Sequence, residues 1–87
     1  MQENNSIEKI SKVFLQIKDK VDFEASLADI LTPAEIHDIA ERIRILEMLK
    51  AGISQRKIAL ELGISITTVT RGSRIFKYDG KAITKYL

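Results

Sequence analysis

Along the first quarter of the chain, apolar residues recur at alternating steps of three and four, at Ile7, Ile10, Phe14, Ile17 and Val21, with Val13 widening the stripe. This spacing predicts a helix from Ser6 with one apolar seam. The seam spans about two heptads, which is short for a coiled coil but suits a helix packing across a dimer. Asp22 is expected to start a second short helix that buries Phe23, Leu27, Ile30 and Leu31. Thr32-Pro33-Ala34-Glu35 is a strong start signal, with Thr32 as N-cap, Pro33 at the first helical position and Glu35 placed to close a capping box. The third helix should run to about Lys50 and stop before Gly52. It carries Ile36, Ile39, Ala40, Ile43 and Leu46 on one side, with Ile45, Met48 and Leu49 spreading round it. Such a wide apolar surface predicts burial on two sides, once against its own subunit and once against a second.

The stretch from Ser54 to Lys77 has the order of a helix-turn-helix. Ser54 can cap a first helix whose inner face is Ile58, Ala59 and Leu62, and Gly63 supplies the left-handed residue that closes it. Ser65 can cap a second helix that hides Val69 and presents Ile66, Thr67, Thr70 and Arg71. Short side chains there let a helix end approach base edges in a DNA groove. Ala59 fits the point where the two helices cross, because side-chain size sets helix separation. An ordinary helical hairpin in a small bundle would share the periodicity. The outward face, however, carries hydroxyls and guanidinium groups in place of a Glu/Lys mixture.

After this motif, Tyr78-Asp79-Gly80 reads as a turn, and Lys81 to Leu87 as a last short helix with Ile83 and Leu87 inward. No strand pattern occurs, so the expected fold is all-α, with about six helices. The 87 residues make one expected domain, 1–87, small enough that a partner chain would help to cover its core. The polar start, Met1 to Asn5, is expected to be disordered. Without cysteine there is no disulfide framework and no thiolate metal site. No apolar run approaches a membrane span and the N-terminus lacks signal-peptide order, so a cytoplasmic protein without membrane contact is expected.

Charge sharpens the picture. Residues 1–49 hold six Lys/Arg against ten Asp/Glu, whereas residues 50–87 hold eight against two, giving −4 and +6 behind the overall +2. The basic half is the half with the helix-turn-helix, which is the footprint of a phosphate-binding surface. Arg56 has the length and bidentate geometry for a guanine edge or a phosphate. Lys57, Arg74, Lys77 and Lys81 suit phosphate neutralisation. His37, the sole histidine, lacks metal-ligating neighbours and is expected to be solvated. Serines and threonines stand before helices as caps, with no Gly-rich phosphate loop or nucleophile elbow, which points away from an enzyme. Arg42 and Arg44 interrupt an apolar helix and need an anion, a carboxylate or an aromatic plane. Glu41, Glu47 or a partner's acid could serve, and so could a bound aromatic or anionic ligand.

LTPAE at 31–35, Arg42-Ile43-Arg44-Ile45, Ser54-Gln55-Arg56 and Thr68-Val69-Thr70-Arg71-Gly72-Ser73 together resemble the Trp repressor family over nearly the whole chain. The resemblance implies an intertwined homodimer that binds double-stranded operator DNA, with L-tryptophan as corepressor and no other cofactor. It implies that Arg42 and Arg71 enclose the indole, that Arg71 and Thr32 hold the carboxylate, and that the backbone near Leu31 takes the amino group. Gly72 would leave space beside the ring. Gln55 and Arg56 would lie at the DNA, with Arg56 on a guanine. Ile66, Thr67 and Thr68 would meet bases, and Thr70 and Lys77 backbone phosphates.

Two departures from the family pattern stand out. Ile75 occupies the position one turn after Arg71 where the family offers a serine hydroxyl to the ligand's amino group. The link before the motif is also one residue shorter, and the end RIFKYDGKAITKYL diverges. Beside a tryptophan-responsive repressor of tryptophan biosynthesis or transport genes stand two alternatives. One is a related regulator with another ligand or none, and the other is a helical module that binds acidic protein partners.

Overall fold

A computed structural model describes the backbone of residues 2–79 and 81–87 and the side chains of 5–77 and 82–87. Among these the elements are α1 (Gln2–Phe14), α2 (Lys20–Ile30), α3 (Pro33–Lys50), α4 (Gln55–Leu62), α5 (Ile66–Arg74), a π-helical segment (Ile75–Asp79) and α6 (Lys81–Thr84), with no strand. The chain forms two compact units, Met1–Ile36 and His37–Leu87.

In the first unit the apolar seam does not continue as one helix through Val21. After Phe14 the bonds tighten to three-residue spacing, Gln16 N–H to the Val13 carbonyl and Ile17 N–H to that of Phe14. The amide of Gln16 also donates to the Lys12 carbonyl. Asp19, not Asp22, then caps α2, its side chain accepting from the Asp22 N–H at 3.0 Å. A carboxylate able to satisfy an orphan amide outweighs the periodicity that Ile17 and Val21 extend. Met1 lies outside the described residues, but Gln2 to Asn5 belong to α1, since adding a turn to a formed helix avoids the cost of nucleation. Phe14 and Phe23 meet edge to face, centroids 5.6 Å apart. Thr32 and Glu35 close the expected capping box at the start of α3, with Thr32 N–H to Glu35 Oε1 at 2.9 Å and Glu35 N–H to Thr32 Oγ1 at 3.2 Å. The Thr32 N–H, helped by its hydroxyl, holds the Glu35 carboxyl below its ordinary pKa.

The second unit contains the core. Ile45, Met48, Ile58 and Val69 form it, with Leu49, Ile53, Ala59, Leu62 and Ile64 packed round them. Gly52, at φ 84, ends α3: the Gly52 N–H reaches the Leu49 carbonyl and the Ile53 N–H that of Met48, a Schellman closure that turns Ile53 onto the core. Ile39 and Ile43, on the side of α3 away from this core set, stay exposed. Lys50 donates to the carbonyls of Thr84 and Leu87, both at 2.9 Å, which ties the end of α6 to the end of α3. The turn expected at Tyr78-Asp79-Gly80 is not found at its first two residues, which continue the π-helical segment, while Gly80 lies outside the described residues. Ile75 and Phe76, at the start of the π-helical segment, are half-buried.

Candidate functional site

The helix-turn-helix is built by its caps. Ser54 accepts from the Lys57 N–H and Ser65 from the Thr68 N–H, each at 3.2 Å. Gly63, at φ 66, closes α4 with the Ala59 carbonyl receiving the N–H of Gly63 and of Ile64. A left-handed residue here reverses the chain within two residues, which brings Ile58 and Val69 together, both 0% exposed.

A second bridge joins the two helices and was not visible in the sequence. Gln55, half-buried at the start of α4, donates from Nε2 to Ser73 Oγ at 3.0 Å and accepts at Oε1 from the Thr70 hydroxyl at 3.0 Å. Ser73 is buried, and this bond satisfies it. Gln55 is therefore engaged inside the motif, and the Thr70 hydroxyl is shared with Gln55 and the Ile66 carbonyl. Thr68 is drawn into the cap. It is half-buried, its hydroxyl lies 2.8 Å from Ser65 Oγ, and it faces a cleft. Its backbone N–H already serves the cap, so its side chain is drawn toward the helix start. Arg56, Ile66, Thr67, Thr70 and Lys77 are all exposed, with Lys57 and Arg74. A glutamine one residue after a serine cap, eighteen residues before a serine, is the only hint of the bridge in the sequence.

The cleft has a volume of about 280 Å³ and lies between α3 and α5. Asp38, Glu41, Arg42, Ile45 and Leu46 line it from α3, and Thr68, Arg71, Gly72 and Ile75 from α5 and the residue after it. It is at the small end of ligand pockets, which run from roughly 300 Å³ upward. The structure thus brings together Arg42, Arg71 and Gly72 of the expected ligand residues. Leu31 and Thr32 belong to the other unit, where Thr32 is engaged in the capping box. Neither Arg42 nor Arg44 has an ion-pair partner among the described residues. Glu41 lies instead 3.6 Å from the exposed His37.

Gly72 has a reason other than room for a ring. A Cβ built on it would fall 2.7 Å from Ile45 Cγ2, a buried methyl on a β-branched residue. The glycine lets the α5 backbone rest directly on α3, and this close approach accounts for a residue that helix propensity disfavours by about 1 kcal/mol.

The Trp repressor protein family model matches residues 5–87. A Trp operon repressor homolog of Xylella fastidiosa is 38% identical over 74 residues, covering 84% of this chain and 80% of the relative. One of Vibrio parahaemolyticus is 40% identical over 65 residues, 74% of this chain and 63% of the relative. The uncharacterized protein YerC of Bacillus subtilis is 29% identical over 76 residues, 87% of this chain and 73% of the relative. No solved structure gives a significant match.

Proposed function

Because the chain belongs to the Trp repressor family, whose members are regulators and not enzymes, we propose that it is a homodimeric, cytoplasmic transcriptional repressor that binds operator DNA when L-tryptophan occupies the cleft beside α5. Genes of tryptophan biosynthesis or transport are its targets in this reading. The observation that carries it is the sharing of α5. One part of this helix exposes Ile66, Thr67 and Thr70, while Thr68, Arg71 and Gly72 line the cleft. A ligand in the cleft therefore touches the element that reads DNA, which is what coupling of two sites requires. Arg42 and Arg71 supply flat guanidinium groups for an indole and a carboxylate. The +6 half of the chain, which carries the helix-turn-helix, suits a polyanionic partner such as DNA.

In the dimer the second copy would cover the apolar face of α1, α2 and the free side of α3. Arg56 would read a base, and Lys57, Arg74 and Lys77 would neutralise phosphates. Selection of duplexes from a random pool, with and without millimolar L-tryptophan, tests the whole reading. A two-fold symmetric site should be enriched only with tryptophan, and Arg56→Ala should weaken it by roughly tenfold to a hundredfold. Absence of calorimetric heat and of thermal stabilisation by tryptophan would remove the corepressor. Ile75, apolar and on the cleft wall, favours a second reading, a regulator with another ligand or none. Enrichment of the same site without tryptophan would support that one.

A further inference from the structure

The charged groups round the cleft form a pattern that the family resemblance does not supply. Asp38, Glu41 and Arg42 stand on one face of α3 at helical spacing, opposite Arg71 on α5. Between them lie Ile45, Gly72 and Ile75. Among the described residues neither guanidinium is ion-paired, and the carboxylates do not pair with them across the cleft. Two acids and two bases thus border one small apolar floor without neutralising each other across it, Glu41 having only the exposed His37 at 3.6 Å on its own helix. A ligand that carries both charges beside an apolar body is the chemical complement of such a site.

Ile75 adds a second argument. It offers no hydrogen-bond acceptor, so a ligand ammonium lying near α5 finds none there. Thr68, the hydroxyl that α5 brings to the cleft, is already 2.8 Å from Ser65 Oγ, and the carboxylates of the cleft are across it, on α3. We propose that Asp38 and Glu41 hold the ammonium group of an apolar amino acid, with its carboxylate on Arg71 and its body over Ile45, Gly72 and Ile75. The cleft then selects zwitterions, and the amino group is essential to recognition. This rests on the reading of the cleft as the ligand site. It goes beyond that reading by assigning the ammonium to side-chain carboxylates of this chain.

The test is calorimetry on the full chain with L-tryptophan, L-phenylalanine and L-leucine, with indole-3-propionate, which lacks the ammonium, and with tryptamine, which lacks the carboxylate. The wild-type chain is expected to bind at least one of the amino acids more tightly than its deaminated or decarboxylated analogue. In the Asp38→Asn plus Glu41→Gln variant, affinity for the amino acid should fall roughly tenfold to a hundredfold, the effect of losing a charge-assisted hydrogen bond. Affinity for indole-3-propionate should hold or rise. Both positions are on the cleft wall, and circular dichroism of the variant checks that its helices are intact. Binding of phenylalanine or leucine but not tryptophan would sustain the zwitterion assignment and overturn the tryptophan reading. Equal binding of tryptophan and indole-3-propionate, unchanged in the double variant, would overturn the assignment and leave tryptophan in place. Binding of none of the amino acids overturns both.

Discussion

The two units of the chain contain similar apolar sequences and treat them in opposite ways. In His37–Leu87, Ile45, Ile58 and Val69 are sealed from solvent by α3, α4 and α5. In Met1–Ile36, Ile7 remains 62% exposed, Ile10 54% and Ile30 66%, and α2 buries no residue. The difference lies in closure. The second unit has two left-handed glycines, Gly52 and Gly63, that fold consecutive helices onto each other. The first has none, and its helices meet mainly through Phe14 and Phe23. Exposed apolar residues gathered on one face mark a surface for a partner, which the proposed homodimer supplies. One unit holds its own core, and the other leaves its apolar face open.

Substitutions can break this comparison. Ile58→Ala should cost about 2–5 kcal/mol, with a melting temperature that does not recover as protein concentration rises. Ile10→Ala should approach the same range, but through the dimer, so that its effect depends on concentration. An Ile10→Ala chain as stable as the wild type at every concentration would show that the N-terminal face is not covered. Gly72→Ala should cost about 1–3 kcal/mol, the range for overpacking, and Ile45→Val in the same chain should recover little because the Cγ2 methyl remains. Ser65→Ala should remove about 1 kcal/mol by freeing the Thr68 amide, read by urea denaturation. The smallest effect belongs to Glu35. Its carboxyl is held below the usual range in the folded chain, so the capping box stabilises at pH above the unfolded value. That contribution is lost as pH falls through the folded one. An NMR titration should show the Thr32 amide moving with Glu35, and Glu35→Gln should abolish that movement.

Much of the second unit was legible because its turns are specified by single residues. Ser54, Gly63 and Ser65 each fix a hydrogen bond or a φ value that few other residues provide, and Thr32 with Glu35 does the same for α3. The first unit was harder to read. Periodicity carries Ile17 and Val21 on as if α1 continued, and only the local chemistry of Asp19 breaks it. The cleft was legible in part. Arg42, Arg71 and Gly72 are expected there, and Asp38 and Glu41 fall at the helical spacing that puts them beside Arg42, yet Glu41 reads only as a candidate ion-pair partner for the arginines and Asp38 has no role until α5 is seen opposite. The family resemblance places Gln55 and Thr68 at the DNA, and the structure adds that their side chains are engaged within the motif. Long-range hydrogen bonds, such as Gln55 to Ser73, leave no trace in local pattern. The π-helical segment from Ile75 has no residue that announces it in the sequence.

The bare contact between Gly72 and Ile45 has a mechanical meaning. At that point the reading helix rests on α3 without a side chain as cushion, while on the adjoining flank Thr68, Arg71 and Ile75 border open space. α5 is also fixed to α4 through Val69, Thr70 and Ser73, so the two helices would move as one body. In the proposed function Gly72 is the fulcrum of that body, and a molecule wedged into the cleft would act on it as on a lever arm, by changing its angle.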